Sequence, residues 1–240
     1  MSKNSSVLQN LKGKLIVSCQ ALPEEPLHSS YIMGRMAYAA YLGGAAGIRA
    51  NSVEDIEEIK KHVSLPMIGI IKKVYAGFDV FITPTMEEVG ALVRAGVDII
   101  ALDATDRTRP DGTTITEIFP KLRETYPDQL FMADCSTYQE GMQAETLGFD
   151  CVGTTLSGYT NATKERLLPD FEMAERLVKD LSIPVIAEGG ISTPEELGLL
   201  FELGVHTAVV GSAITRPYEI TKRFVHSIQQ QSYVSRAGNE

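Results

Sequence analysis

The chain has 240 residues, 44% of them apolar and 22% charged, an ordinary globular composition with enough apolar side chains to fill one large core, so disorder is excluded except at the ends. Its formal net charge is −9, from 31 acidic residues against 22 lysines plus arginines, and the basic residues are scattered, which argues against nucleic acid and anionic membrane as partners. No run reaches the ~18 apolar residues of a transmembrane helix, the polar stretch 1–11 lacks a signal-peptide core, and Cys19, Cys135 and Cys151 have no paired short spacing, which fits a reduced, cytoplasmic compartment.

Short continuous apolar runs alternate with helical periods eight times along the chain. The first strand is read over Leu15 to Cys19 and its helix over Tyr31 to Leu42; the second strand is Ala46 to Arg49. A helix over Val53 to His62 follows, acidic early and with Lys60-Lys61-His62 late, the polarity that the helix dipole favours. Strand three runs from Met67 to Ile71 and ends at Lys72; after an irregular segment with a short hairpin around Val80 to Ile82 comes a helix from Thr85 to Arg94. Strands at Ile99 to Leu102, Leu130 to Ala133, Cys151 to Thr154, Ile183 to Ala187 and Thr207 to Val210 complete the set. Their helices are read over Ile115 to Glu124, Thr137 to Leu147, Phe171 to Leu181, Pro194 to Leu203 and Pro217 to Gln229.

Leu42-Gly43, Ala95-Gly96, Leu147-Gly148 and Leu203-Gly204 each end a helix a few residues before a strand, where a glycine is expected in the left-handed turn that stops a helix. Eight such units at a length close to the ~250 residues of one barrel predict an α/β chain folded as a single-domain (β/α)8 TIM barrel. The barrel spans residues 13–229, with a polar N-terminal extension at 1–12 and a polar C-terminal tail at 230–240. The first strand-to-helix turn, SCQALPEEP, has no G-x-G-x-x-G, which rejects a dinucleotide fold. Ile220, Phe224, Val225 and Ile228 of the last helix can cover the barrel or a neighbouring subunit, and a homodimer is the expectation.

In such a barrel the chemistry sits at the C-terminal ends of the strands. The polar residues there are Ser18, Gln20, Arg49, Lys72, Asp103, Asp134, Thr155, Glu188, and Gly211 with Ser212. Two loops, Glu188-Gly189-Gly190-Ile191-Ser192-Thr193 and Gly211-Ser212-Ala213-Ile214-Thr215-Arg216, each follow an apolar strand and open a helix. Their glycines let the backbone approach an anion, and the following helix N-termini offer unpaired N–H groups, so the pair reads as a phosphate grip with Arg216 as its basic side chain. Lys72, directly after an apolar strand, loses solvation, has its pKa lowered and becomes a proton acceptor near neutral pH. Its neighbour Lys73 competes for that role, because periodicity alone does not say which of the two points into the barrel mouth. Glu188 lies beside a bound sugar or pairs with Lys72 or Arg49. Asp134 and Arg49 pair with each other, or hold hydroxyl and amide groups, or both. Asp103 and Thr155 taken singly read as structural. His28, His62, His206 and His226 are dispersed, and no metal is expected.

The segments LIVSCQALPEEPLH (15–28), GIRA (47–50), IGIIK (68–72), ITPTMEEV (82–89), IALDAT (100–105), MADCST (132–137), FDCVGTTLSGYT (149–160), PVIAEGGISTPEEL (184–197) and AVVGSAITRP (208–217) together resemble one family over roughly residues 12–226. It is the N-acylglucosamine-6-phosphate 2-epimerase family, also called N-acetylmannosamine-6-phosphate 2-epimerase, of bacterial sialic acid catabolism. The resemblance implies interconversion of N-acetylmannosamine 6-phosphate and N-acetylglucosamine 6-phosphate, without redox cofactor or metal. It places the catalytic lysine on Lys72 and the active-site glutamate on Glu188, sugar-contacting positions on Gln20, Arg49 and Asp134, and the phosphate site on Gly211, Ser212 and Arg216. Two positions depart from the family's pattern: Gly190, where relatives often have a basic or amide side chain, and Lys73, where arginine is common. The implied chemistry needs the ring to open, because the hydrogen on C2 is acidic only while C1 is an aldehyde. A general base then removes it, and a proton returns to the opposite face. The strand-end residues by themselves also fit a Schiff-base aldolase or a non-catalytic sugar-phosphate-binding barrel; neither explains the nine matched segments.

Overall fold

The computed structural model describes residues 3–237. The strands Leu15–Cys19 (β1), Gly47–Asn51 (β2), Met67–Ile70 (β3), Ile99–Asp103 (β4), Leu130–Asp134 (β5), Cys151–Gly153 (β6), Val185–Glu188 (β7) and Thr207–Val210 (β8) are all parallel and pair in chain order, with β8 closing on β1. The helices are Lys3–Leu11 (α1), Ser30–Leu42 (α2), Val53–Lys60 (α3), Met86–Ala95 (α4), Ile115–Thr125 (α5), Tyr138–Leu147 (α6), Phe171–Asp180 (α7), Pro194–Glu202 (α8) and Pro217–Ala237 (α9). This is the expected (β/α)8 barrel. Among the described residues no helix is long and apolar enough to cross a membrane.

The strands are mostly apolar on both faces because both faces are covered, and all of their polar residues but Thr207 lie in the C-terminal part of a strand, from Arg49 onward in β2. Alternate side chains, such as Ile16, Ile68, Ile99, Met132, Ile186 and Val209, fill the barrel interior, while those between them, such as Val17, Ile48, Ile100, Phe131 and Val152, pack under the helices. Four helices begin at a Thr-x-x-Glu capping box, Thr85 with Glu88, Thr114 with Glu117, Thr137 with Glu140 and Thr193 with Glu196. The helices read from Thr85 and Thr137 therefore start one residue later, the threonine being the cap. Gly96, Gly148 and Gly204 stop their helices in the left-handed region, at φ of 67°, 93° and 93°. After α2 the left-handed residue is Gly44 (φ 94°) rather than Gly43, which remains right-handed.

Two elements lie where the sequence reads as flanking polar segments. α1 carries Leu11, 1% exposed, and Val7 and Leu8 pack with it against the interior side chains, so the helix floors the barrel at the N-terminal ends of its strands. The His206 ring, 2.8 Å from the Leu8 carbonyl oxygen, holds it there. α9 continues to Ala237, past residue 229, because neither glycine nor proline interrupts 218–237. Its described side chains from 221 to 229 are exposed, so this helix does not seal the barrel wall.

The segment between β3 and α4 is irregular but pinned. Lys72 and Ile82 form an antiparallel bridge where the hairpin was expected. Thr83, at φ 46°, donates from its hydroxyl to the Ala101 carbonyl at 2.7 Å. Arg109, fully buried, donates to the carbonyls of Thr83 (2.8 Å), Pro84 (2.9 Å) and Asp103 (2.6 Å). Three carbonyls on one planar guanidinium fix the backbone that carries Lys72 to the end of β4.

Candidate active site

Above the interior layer, at the C-terminal ends of the strands, the barrel opens into a cavity of about 520 Å³. It gathers Gln20, Arg49, Lys72, Glu188, Gly189, Gly190, Gly211, Ser212 and Arg216 from five segments far apart in the chain. Asp134 is the one expected site residue that does not line it. Its carboxylate is fully buried behind Arg49, which donates to it at 2.5 Å and 3.1 Å, so Asp134 acts on the cavity through the arginine and does not present itself to a ligand. Asp103 is likewise turned away, held by Arg107 at 2.5 Å and by the Thr105 hydroxyl at 2.6 Å.

Arg49 is 1% exposed and also donates to Glu188 Oε2 at 2.7 Å. Burial opposes its charge, but the two carboxylates outweigh burial and keep the guanidinium firmly protonated. The Thr155 hydroxyl lies 2.7 Å from Asp134 Oδ1 and 3.2 Å from Glu188 Oε2, so a residue that reads as structural in the sequence bridges both acids at the cavity wall. Burial pushes the Glu188 carboxyl up to about 7, against the opposing pull of Arg49. Two buried atoms at this site have no hydrogen-bond partner among the described residues: Arg49 Nε and Gln20 Oε1, whose own amide group donates to Ser18 Oγ at 2.8 Å.

The two lysines part company as the strand period demands. Lys72 lines the cavity, its backbone N–H held by Asn51 Oδ1 at 2.7 Å, and no carboxylate among the described residues comes within ion-pair distance of its ammonium group. Burial, with the positive charges of Arg49 and Arg216, lowers it to about 8. Lys73 turns out toward α4, where it meets Glu88 at 3.0 Å and Glu87 at 3.7 Å and lies 4.9 Å from the centre of the Tyr75 ring; Tyr75 and Glu88 hold it above the ordinary lysine value.

The glycine loops close the other end of the cavity. Gly189 and Gly190 both have positive φ, 109° and 72°, and a Cβ at Gly190 would lie 2.3 Å from Leu168 Cβ, in the segment between β6 and α7. Leu168 therefore occupies the place that a side chain at position 190 would take. The expectation that the helix N-termini after these two loops offer unpaired N–H groups needs correcting. At α8 the amides of Ser192 and Thr193 are taken by Glu196, at 2.7 Å and 3.2 Å, and after β8 those of Ile214 and Thr215 bond back to the Gly211 carbonyl. Ahead of them, Gly190, Ile191, Ser212 and Ala213 line the cavity. Arg216 reaches this end but is paired with Glu25 at 2.9 Å. A second cation, Arg223 of α9, also lines the cavity and donates to the Ser192 carbonyl at 3.3 Å. Sequence reading missed it because it lies two turns into a helix; its spacing from Arg216 on the chain that leaves the second loop was the available signal.

The family model described as "Putative N-acetylmannosamine-6-phosphate epimerase" matches residues 33–230. A protein of that description from Caldanaerobacter subterraneus subsp. tengcongensis is 55% identical over 95% of this chain and 96% of its own length. One from Clostridioides difficile is 57% identical over 93% of this chain and 99% of its own. The solved structure of the N-acetylmannosamine-6-phosphate 2-epimerase from Clostridium perfringens superposes with a TM-score of 0.87, at 56% identity, covering 91% of this chain and 95% of that one.

The Leu168 contact makes a direct prediction. Gly190→Ala adds both a left-handed strain and a steric overlap, and is expected to lower stability by about 1–3 kcal/mol. Thermal and denaturant unfolding of the variant check this; a Gly190→Ala protein as stable as the parent would contradict the packing described.

Proposed function

The chain belongs to the N-acetylmannosamine-6-phosphate epimerase family, and from that membership and the cavity's geometry we propose that it interconverts N-acetylmannosamine 6-phosphate and N-acetylglucosamine 6-phosphate by removing and returning the proton at C2. The observation that carries the proposal is the pairing, in one cavity, of a lysine without a carboxylate partner and a carboxyl raised toward neutrality. A titration midpoint near neutral pH is what proton transfer in both directions requires, since either group then exchanges its proton at little cost.

The phosphate is held by the amides of Gly190, Ile191, Ser212 and Ala213 with Arg216 and Arg223, which directs the sugar toward Gln20, Arg49, Lys72 and Glu188. Once the ring opens and C1 is an aldehyde, the neutral amine of Lys72 takes the C2 proton. The electron pair left on C2 spreads over C1 and its oxygen as an enolate that carries the acetamido group on C2. The fixed charge of Arg49 stabilises it without reorganising, because Asp134 already locks the guanidinium in place. Glu188 orients the substrate hydroxyls and assists the return of the proton to the opposite face. Asp134 is thus a positioning residue.

The protein also acts, on this reading, in the cytoplasm, where its three buried free cysteines stay reduced, and as a homodimer. Phe224, Val225 and Ile228 of α9 are exposed at 70%, 47% and 65%, and Tyr41, Leu42 and Leu199 stand exposed on α2 and α8 of the barrel wall. A second copy of the chain supplies apolar surface of the same kind, so a symmetric pairing covers both sets.

Two experiments test these proposals. In deuterated water with N-acetylmannosamine 6-phosphate, NMR at C2 is expected to show deuterium entering the epimerised product with the parent protein and with Lys73→Ala, and turnover at least ~10²-fold lower with Lys72→Ala. A dead Lys73→Ala beside an active Lys72→Ala would reverse the assignment, and epimerisation of a C1-blocked glycoside would refute deprotonation altogether. Sedimentation is expected to give a dimer for the parent chain and a folded monomer for Phe224→Asp combined with Ile228→Asp; a monomeric parent at micromolar concentration would contradict the pairing.

A further inference from the structure

We propose that the cavity also captures small phosphorylated aldehydes covalently, as a reversible imine on Lys72, and this rests on the phosphate-end assignment made above. The chain has eleven lysines. Several are committed elsewhere: Lys60 donates to the carbonyls of Ala95 and Gly96, and Lys61, Lys73 and Lys222 pair with Glu58, Glu88 and Glu219. Lys72 differs in every respect that governs amine nucleophilicity. It lies in a cavity, no carboxylate among the described residues forms an ion pair with it, and burial with the charges of Arg49 and Arg216 outweighs the pull of Glu188 and Glu25, so that its titration near pH 8 leaves a substantial neutral fraction in mildly alkaline solution.

The same cavity supplies the two other requirements. Its glycine-loop end, with Arg216 and Arg223, anchors a terminal phosphate and so presents a carbonyl a few atoms away to the amine at high effective concentration. The Glu188 carboxyl, at about 7, supplies and recovers the protons. The Lys72 Nζ lone pair attacks the aldehyde carbon, and the C=O π pair moves to oxygen, which is protonated to a carbinolamine. The hydroxyl then leaves as water with a second proton as the nitrogen pair forms C=N. No oxidant or reductant enters, and hydration reverses the sequence. An aldehyde phosphate of this kind competes with the sugar phosphate and does so more strongly as pH rises through about 8, where Lys72 loses its proton.

Pyridoxal 5′-phosphate is a suitable probe. The parent protein is incubated with it, reduced with borohydride, digested and mapped by mass spectrometry; parallel samples use pyridoxal without phosphate, excess inorganic phosphate, and the variants Arg216→Ala and Lys73→Ala. The expected result is labelling of Lys72 at reagent concentrations about tenfold below those that label any other lysine. Inorganic phosphate suppresses it, Arg216→Ala weakens it by roughly 10-fold or more through loss of a charge-assisted contact, and Lys73→Ala leaves it unchanged. Labelling spread evenly over surface lysines, or equal labelling of Lys72 by pyridoxal, would overturn the proposal. An unlabelled Lys72 in a protein that exchanges deuterium at C2 defeats the imine alone and leaves the epimerase assignment standing. Phosphate-dependent labelling in a protein without C2 exchange does the reverse.

Discussion

Arg49 is the constraint around which the site is built. One guanidinium, almost wholly shielded from water, joins Asp134 and Glu188, and each consequence for the chemistry follows from that sharing. A buried ion pair is weak evidence of stability, because desolvation of the charges offsets their attraction; its effect here is geometric. Arg49 draws Asp134 away from the cavity and fixes the orientation of Glu188. Because the arginine takes up Asp134 and Glu188, Lys72 has no ion-pair carboxylate among the described residues, and burial, with the positive charges of Arg49 and Arg216, pushes it down.

The barrel brings these groups together by register rather than by loop design. Arg49, Asp134 and Glu188 come from β2, β5 and β7, on the inward-facing phase of each strand, Asp134 and Glu188 as the last residue of theirs and Arg49 in the middle of β2. The room between them is made by a missing side chain. A Cβ at Gly153 on β6 would fall 2.3 Å from Met132 Cε and 2.8 Å from Thr155 Oγ1, so glycine there lets the Thr155 hydroxyl sit against both acids. On the opposite wall, Arg109 performs the matching task for Lys72. It ties the strained Thr83 segment to β4, so that the lysine's backbone does not depend on a free loop. A side chain whose distance to a carbon atom sets the rate needs such support.

How much of this was legible in the sequence depended on whether the signal was local. The strands were, because a run such as Met67 to Ile71 is apolar throughout and bounded by polar punctuation, and the ends of those strands named the cavity residues. Lys72 and Lys73 were legible only as a pair: a period of two separates them, but the partner that draws Lys73 outward, Glu88, lies on the next helix. The pairing of Asp134 with Arg49 was one of two readings open in the sequence, and because the two lie 85 positions apart only the folded register shows that the arginine, not the aspartate, lines the cavity. The floor helix escaped because Val7, Leu8 and Leu11 are few among polar neighbours, and three apolar side chains have meaning only against the barrel interior they meet. Gly190 read as a departure from the family's pattern; the structure gives the reason, in the neighbouring Leu168.

The central claim is that Arg49 leaves Lys72 unpaired and easily deprotonated. Titration of the protein by NMR with lysines carbon-13 labelled at Cε, with Lys72→Ala used to assign the signal, tests it without reference to any substrate. The account predicts a midpoint for Lys72 of about 8, well below the ~10.4 of an ordinary lysine. A Lys72 signal that titrates with the surface lysines would contradict it, and would remove the physical basis for assigning proton transfer to this residue.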